Sequence, residues 1–344
     1  MILVTPLVSI IVNCYNQGHY LDRSVKSVLS QTLTDLECII IDDGSTDNTR
    51  QISESLMALD SRVNYYFQEN KGLASARNFG VSKAKGEWIQ CLDADDWIHE
   101  DKTRFQLEHL AGHEDQEVVF YCDYDRVLID PNGTIIDRQP HIIGCLTKEE
   151  LIERLLTPDF LSSSPHPALQ QATLMRKSVF LRHPLQEGLK AMVDRYFALE
   201  IASEEISFIY TPLVGAFYTK HQSNMTNDWT YLVKSYANFY QRVADQHPNL
   251  MQFCQRSLTF FIDDSIKEEN QTQFEQFAKF VQFPIYLLDG KIRIRGRSSL
   301  NLAFMIRQLI PTTLLYEKTD NLPRKILGIL SKPLDRFYQS KAGD

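Results

Sequence analysis

The stretch Trp88-Ile-Gln-Cys-Leu-Asp-Ala-Asp-Asp-Trp97 passes from apolar residues straight into three carboxylates, Asp93, Asp95 and Asp96. That is the pattern of a buried strand whose C-terminal end opens onto a site. Asp93 and Asp95 are two apart, so on an extended chain they point to the same side. Clustered carboxylates repel one another and pull their pKa values apart. A divalent cation relieves the repulsion and takes oxygen ligands. A solvated acidic turn is the alternative, since acidic side chains are rarely buried unpaired.

The residues upstream supply the frame for this strand. Leu7–Asn13, Leu36–Ile41 and Val63–Phe67 are short runs rich in β-branched and aromatic residues, and each predicts a strand. Between them, Leu21, Val25, Val28 and Leu29, then Ile52, Leu56 and Leu59, then Leu73, Ala76 and Phe79 recur at helical spacing. Strand and helix alternate through residue 92, which predicts an α/β fold with a mostly parallel sheet flanked by helices. Ligands of such sheets bind beyond the C-terminal strand ends. Three strands end in polar clusters there: Asn13–Asn16, Asp42–Ser45 and Asp93–Asp96. No Gly-x-Gly-x-x-Gly and no Walker-type lysine accompanies them, which sets aside a dinucleotide dehydrogenase and a P-loop enzyme.

Composition narrows the classes further. The 344 residues carry a net charge of −8, against a general nucleic-acid binder. Six scattered cysteines without CxxC spacing predict reduced thiols in a cytoplasmic protein. No signal peptide and no run of about 18 apolar residues is visible.

Val8-Ser-Ile-Ile-Val-Asn-Cys-Tyr-Asn16, Ser27–Thr32, Ile41-Asp-Asp-Gly-Ser-Thr-Asp47, Asn70-Lys-Gly-Leu-Ala-Ser-Ala-Arg-Asn78 and Leu92-Asp-Ala-Asp-Asp96 resemble glycosyltransferase family 2, in that family's order and spacing. The resemblance covers residues 6 to 226 and implies a GT-A fold. It also implies inverting transfer of a sugar from a nucleoside-diphosphate donor, UDP-linked by family habit, assisted by Mn2+ or Mg2+; single addition is expected because the membrane spans and Gln-x-x-Arg-Trp motif usual in the family's processive synthases are not visible. The acceptor it implies is a glycan or a lipid-linked one. Asp95 then becomes the direct metal ligand. Asp93 bonds the ribose or reaches the metal through water, and Asp96 either adds a contact or caps its own turn. Asp43 matches the carboxylate that accepts from the ring N–H of the base, with Asp42 beside it or holding the loop. Asn13 and Tyr15 fall where the base pocket is lined, and Tyr15 either stacks on a flat ring or packs in the core. Arg77 falls near the nucleotide phosphates, with a surface ion pair as the alternative.

Leu189–Ala202 predicts a helix, and Asp194 matches the family's general base. Val193 stands in place of the usual first acidic residue, and Arg195 in place of the usual tryptophan. Phe217–Thr226 resembles the closing segment, where His221 would be a third metal ligand or diphosphate contact and Lys220 could also meet phosphate.

The predicted organisation is a catalytic domain over 1–228, with a nucleotide-sugar half to about residue 125 and an acceptor half from 126. A helical C-terminal region follows over 229–344. From Lys291 onward there are about eleven basic residues against about four acidic, so this tail is basic. It either closes a helical core or a dimer, or touches an anionic membrane on its inner face near a lipid-linked acceptor. A non-catalytic nucleotide-sugar-binding or scaffolding protein of the same fold is the rival function. A metal phosphohydrolase built on Asp93 and Asp95 is a third, weakened by the lack of an acidic pair on the first strand.

Overall fold

A computed structural model describes residues 5–280, apart from 131–132, 163–164, 168, 190, 205, 222–223, 225–226, 269 and 279. The basic tail, with the segments 300–315 and 326–337 whose spacing predicts amphipathic helices, lies outside the described residues.

The first half follows the sequence pattern closely. β1 (Val8–Cys14), α1 (Gly18–Leu29), β2 (Leu36–Asp43), α2 (Thr49–Leu59), β3 (Val63–Gln68), α3 (Leu73–Lys83) and β4 (Trp88–Asp93) alternate without interruption. All pairings among these four strands are parallel, in the order β3-β2-β1-β4. Every residue of β1 and β2 is buried, as near-continuous Ile/Val/Leu runs predict for strands covered on both faces.

The period of two along a strand assigns the helices to faces. Ile10, Val12, Cys38 and Ile40 share one core with Leu21, Val25 and Val28 of α1 and Leu56 of α2. Ile11 and Ile41 point the other way, toward α3. Gly80 makes that approach possible, because a Cβ there would lie 2.4 Å from Ile11 Cγ2 and 3.2 Å from Ile41 Cγ1.

The second half departs from this regularity. β5 (Trp97–Ile98), α4 (Lys102–Glu108), β6 (Val118–Ile129), β7 (Ile135–His141), α5 (Lys148–Leu156), β8 (Thr173–Arg176), α6 (Lys177–Arg182), α7 (Val193–Ala202) and β9 (Ser207–Lys220) complete the sheet region. The sheet continues as β4-β8-β6-β9-β5, with β7 hairpinned onto β6. β8 runs antiparallel to both β4 and β6, whereas β9 is parallel to β6. The sheet is therefore parallel in its first half and mixed beyond it. Cys122 pairs with Thr211 but Asp123 pairs with Val214, so β9 bulges at Pro212. A bulge is where a strand tolerates a residue without an N–H.

A capping box between Thr147 and Glu150 starts α5. All six cysteines are free, and only Cys145 is exposed.

The chain divides into two compact units, 1–243 and 244–344. α8 (Trp229–Gln246) begins in the first, where Val233, Tyr236, Phe239 and Tyr240 are buried and Tyr240 Oη donates to the Leu156 carbonyl at 2.8 Å. In the second unit Pro248 opens a tight-turned stretch to Cys254, which precedes α9 (Gln255–Lys267). Phe261 of α9 stacks on Phe277 of α10 (Gln271–Ala278) with centroids 4.5 Å apart. No helix among the described residues is long and apolar enough to cross a membrane.

Candidate functional site

Three strand tips of the parallel half meet, and short side chains bind them together. Asn16, at φ 54°, accepts from Thr46 N at 2.7 Å, and its own N–H donates to Ser45 Oγ at 2.9 Å. Asp47 accepts from Gly18 N at 3.0 Å. Gly44, at φ +80°, passes so close to the third loop that a Cβ would sit 2.6 Å from Asn70 N.

Two neighbouring carboxylates serve these loops differently. Asp42 is buried and accepts from Ser45 N and Tyr65 Oη, both at 2.8 Å, so it holds its own turn. Asp43 accepts from Gln68 Nε2 (2.6 Å), Lys71 N (3.0 Å) and Gly72 N (2.9 Å). It thereby folds the 70–72 loop over the end of β2. Tyr15 is 51% exposed at the tip of β1, which removes core packing as its role.

The third tip carries the carboxylates. Asp93, Asp95 and Asp96 each offer an oxygen within 4.8 Å of the others. Asp95 Oδ2 lies 3.0 Å from His221 Nε2 and 3.1 Å from Gln17 Nε2. His221 stacks on Tyr20 with centroids 5.2 Å apart. Asp96 is spoken for on both sides: it accepts from Gln171 Nε2 at 2.6 Å and Thr219 N at 2.7 Å. Burial, with Asp95 and Asp93 alongside, pushes its pKa well above the ordinary carboxylate range. Asp96 is thus an anchor that ties the acidic loop to β9. Asp93 and Asp95 remain as carboxylate oxygens within reach of one cation, with His221 Nε2 beside Asp95, and such oxygens suit Mg2+ or Mn2+.

Arg77 is fully buried beneath this cluster, neither at a surface nor open to a phosphate. Its guanidinium donates to Asp93 Oδ1 at 2.8 Å, Asp194 Oδ1 at 2.5 Å and Asn13 Oδ1 at 3.2 Å. Asn13 donates in turn to Asp93 at 2.7 Å, so its carboxamide is engaged within the network. Burial opposes the Arg77 charge, yet Asp194 and Asp93 raise its pKa above the ordinary value. Burial raises Asp194, Arg77 draws it down, and Asp93 pushes it up, with a net rise.

Asp194 arrives from the far half of the chain. Met192, at φ 64°, turns the backbone into α7 in a conformation rare for a residue with a long side chain. Val193 is buried. Arg195 donates to the carbonyls of Arg154 (3.0 Å), Leu155 (3.0 Å) and Thr157 (2.9 Å) and to Asp159 (2.6 Å). It caps the C-terminal end of α5, where a cation meets both the orphan carbonyls and the helix dipole.

Asp93 and Asp194 line one end of a cavity of about 780 Å³ that extends along β6, β9 and α8. Tyr124, Phe160, Tyr218 and Tyr236 make its wall aromatic. Asn13, Asp43, Asp95 and His221 do not line it, so the strand-tip cluster and the cavity are neighbours that share Asp93.

Gln17, Arg23 and Gln171 carry no motif signal, and Thr219 lies in the closing segment without being singled out there. Arg23 donates to the Asp95 carbonyl at 2.8 Å and lies 4.0 Å over the Trp97 ring. Each belongs to a segment whose pattern announces only a helix, a turn or a strand.

Residues 9–180 match the family model described as Glycosyl transferase family 2. The putative glycosyltransferase EpsH of Bacillus subtilis (strain 168) is 31% identical over 211 residues, which cover 61% of this chain and 60% of EpsH. Glycosyltransferase GlyG of Streptococcus pneumoniae serotype 4 is 42% identical over 125 residues, covering 36% of this chain and 41% of GlyG. The chain therefore spans 60% or less of the length of these relatives. Among solved structures, S. aureus TarS 1–349 in complex with UDP-GlcNAc aligns with a TM-score of 0.59 at 19% identity over 80% of each chain. A mannosyltransferase, PcManGT from Pyrobaculum calidifontis in complex with GDP-Man and Mn2+, aligns with a TM-score of 0.53 at 14% identity, over 98% of this chain and 88% of that one. At such identities the likeness is one of fold.

Proposed function

The chain belongs to glycosyltransferase family 2 with a GT-A fold, and from that premise we propose that it moves one sugar from a nucleoside-diphosphate donor, UDP-linked first, to a glycan or lipid-linked acceptor, with inversion. The observation that carries this reading is Arg77 bridging Asp93 at 2.8 Å and Asp194 at 2.5 Å, with both carboxylates facing one cavity. An inverting displacement needs a leaving diphosphate on one side of the anomeric carbon and an attacking hydroxyl on the other. A strand-tip cluster and a separate carboxylate, held a guanidinium apart, meet that requirement.

Asp194 is the base in this reading. It takes the proton of the acceptor hydroxyl as the new bond to the anomeric carbon forms and the bond to the diphosphate oxygen breaks. A pKa raised by burial makes it a stronger base than a surface carboxylate. Asp43 has three hydrogen bonds and about four acceptor directions, which leaves one for the ring N–H of a base. Tyr15 offers its exposed ring to the same base, while Asn13 and Asp42 hold the pocket floor. A divalent cation, Mn2+ or Mg2+, held by Asp95, Asp93 and His221 would neutralise the departing diphosphate when bound. The aromatic cavity wall suits the apolar faces of acceptor sugar rings.

A thermal-shift panel of UDP-, GDP- and dTDP-sugars with and without Mn2+, followed by a donor-hydrolysis assay, tests the reading. We expect one UDP-sugar to raise the melting temperature only with the cation, and Asp95→Ala to abolish that rise. Binding without turnover across the panel would support a non-catalytic binding protein instead, and no binding at all would remove the donor assignment.

A further inference from the structure

The tip of β2 holds a carboxylate whose two oxygens are unequally occupied. Gln68 closes β3 and pairs in register with Asp43, so the two side chains leave the sheet on one face. Asp43 Oδ1 accepts from Gln68 Nε2 at 2.6 Å and from Lys71 N at 3.0 Å, whereas Oδ2 accepts from Gly72 N at 2.9 Å and from no other donor among the described residues. A carboxylate oxygen offers about two acceptor directions, so Oδ1 is full and Oδ2 keeps one. Asn70 Nδ2 donates to the Asp43 carbonyl at 3.0 Å and fixes the loop that supplies the two backbone donors. Gln68 is the one side chain among the three donors. Asp43 is 4% exposed, so a donor brought against it without a free acceptor stays unmet.

Bases differ in how many adjacent donors they present. Guanine offers its ring N1–H and its exocyclic 2-amino group side by side, and a carboxylate answers both only with a free direction on each oxygen. Uracil and thymine offer one ring N–H between two carbonyls. Cytosine and adenine turn a ring-nitrogen lone pair toward the carboxylate beside their amino group.

We propose that Gln68 is a specificity-determining residue: by filling Asp43 Oδ1 it leaves room for a single N–H, which selects a uracil or thymine base and rejects guanine. This rests on the donor reading, because it takes Asp43 as the residue that meets the base. It goes beyond that reading by giving the base preference a cause in one replaceable side chain.

Calorimetric titration of the full chain with UDP, GDP, inosine diphosphate and CDP, each with Mn2+, tests it. Inosine diphosphate isolates the effect, because it keeps guanine's shape and ring N–H but lacks the 2-amino group. We expect UDP to bind best, CDP weakly, and inosine diphosphate about tenfold more tightly than GDP. Gln68→Met withdraws the donor and frees Oδ1, so GDP should gain about tenfold on inosine diphosphate. GDP bound as tightly as inosine diphosphate by the wild-type chain overturns the proposal, and that comparison needs no variant. So does an unchanged ratio of the two in folded Gln68→Met, checked by its melting temperature. Asp43→Ala separates this inference from the reading beneath it. A loss of UDP affinity in Asp43→Ala, with the Gln68→Met ratio unchanged, ends this inference alone. UDP affinity unaltered by Asp43→Ala, or no nucleotide bound by the wild-type chain, removes the base-pocket reading and this inference with it.

Discussion

The parallel half, residues 8 to 93, and the mixed half beyond it solve the same problem by different means. In the first, polar residues sit at consecutive strand tips, and each is fixed by partners a few positions away or on the next tip, as Asn16, Ser45 and Thr46 are. In the second, Asp194, Gln171, Thr219 and Tyr124 come from four separate elements, and only the sheet order brings them together. A site made of strand tips is written in local order. A site made of faces is written in register.

Arg77 and Lys102 join the halves. Arg77 couples the first half's Asp93 to the second half's Asp194. Lys102 lies fully buried, donating to Gln90 of β4 (2.8 Å), to Gln106 (2.8 Å) and to the Thr173 carbonyl of β8 (3.2 Å). Measurements at four residues would break or sharpen this contrast. The largest effect is expected at Asp194→Asn, with transfer down about 10²–10⁴-fold and UDP affinity kept. Equal transfer in a single-turnover assay would deny the second half its part in the chemistry. Wild-type transfer should fall as pH drops through the raised pKa of Asp194, because only the ionised carboxylate accepts a proton.

Arg77→Met comes next. It leaves Asp93 and Asp194 facing each other without their cation, at a cost of about 3–5 kcal/mol by urea unfolding. A cost under about 1 kcal/mol would mean that the seam does not need the guanidinium.

Lys102 gives a smaller, pH-dependent effect. Burial lowers its pKa from 10.5 to about 8. Between these values the unfolded chain binds more protons, so Lys102 adds stability as pH rises through that window and withholds it below about 8. The buried thiols act in the opposite sense, so the quantity to follow is wild type minus Lys102→Met. That difference should climb on the order of 2 kcal/mol from pH 8 to 10; a flat difference would show that the lysine does not titrate across the seam.

Tyr15→Ala is expected to be smallest. Its exposed ring should change stability by less than about 0.5 kcal/mol, while UDP binding weakens by about 1 kcal/mol, roughly fivefold. Unchanged UDP affinity would take the ring out of the base pocket.

Much of the first half could be read before any fold was known. The runs at 7–13, 36–41, 63–67 and 88–92 became β1 to β4 within a residue or two: the covered strands β1, β2 and β4 are apolar along most of their length, and the half-exposed edge strand β3 is marked by Val63, Tyr65, Tyr66 and Phe67. β9 escaped notice since Ser207–Lys220 mixes polar and apolar residues and carries Pro212 at its bulge. Asp96 read as a candidate contact because one-dimensional spacing cannot tell a carboxylate facing the site from one consumed by Gln171 and Thr219.

The sequence by itself determined which strands run parallel at the start, where their polar tips fall and which family's motifs they carry, because hydrophobic period and turn chemistry act over a few residues. The tertiary structure alone decided that Arg77 is buried between two carboxylates, that Arg195 caps α5 and that Gln68 fills one oxygen of Asp43. Each depends on pairing segments tens of residues apart, and burial, charge and hydrogen-bond partners exist only once that pairing is made.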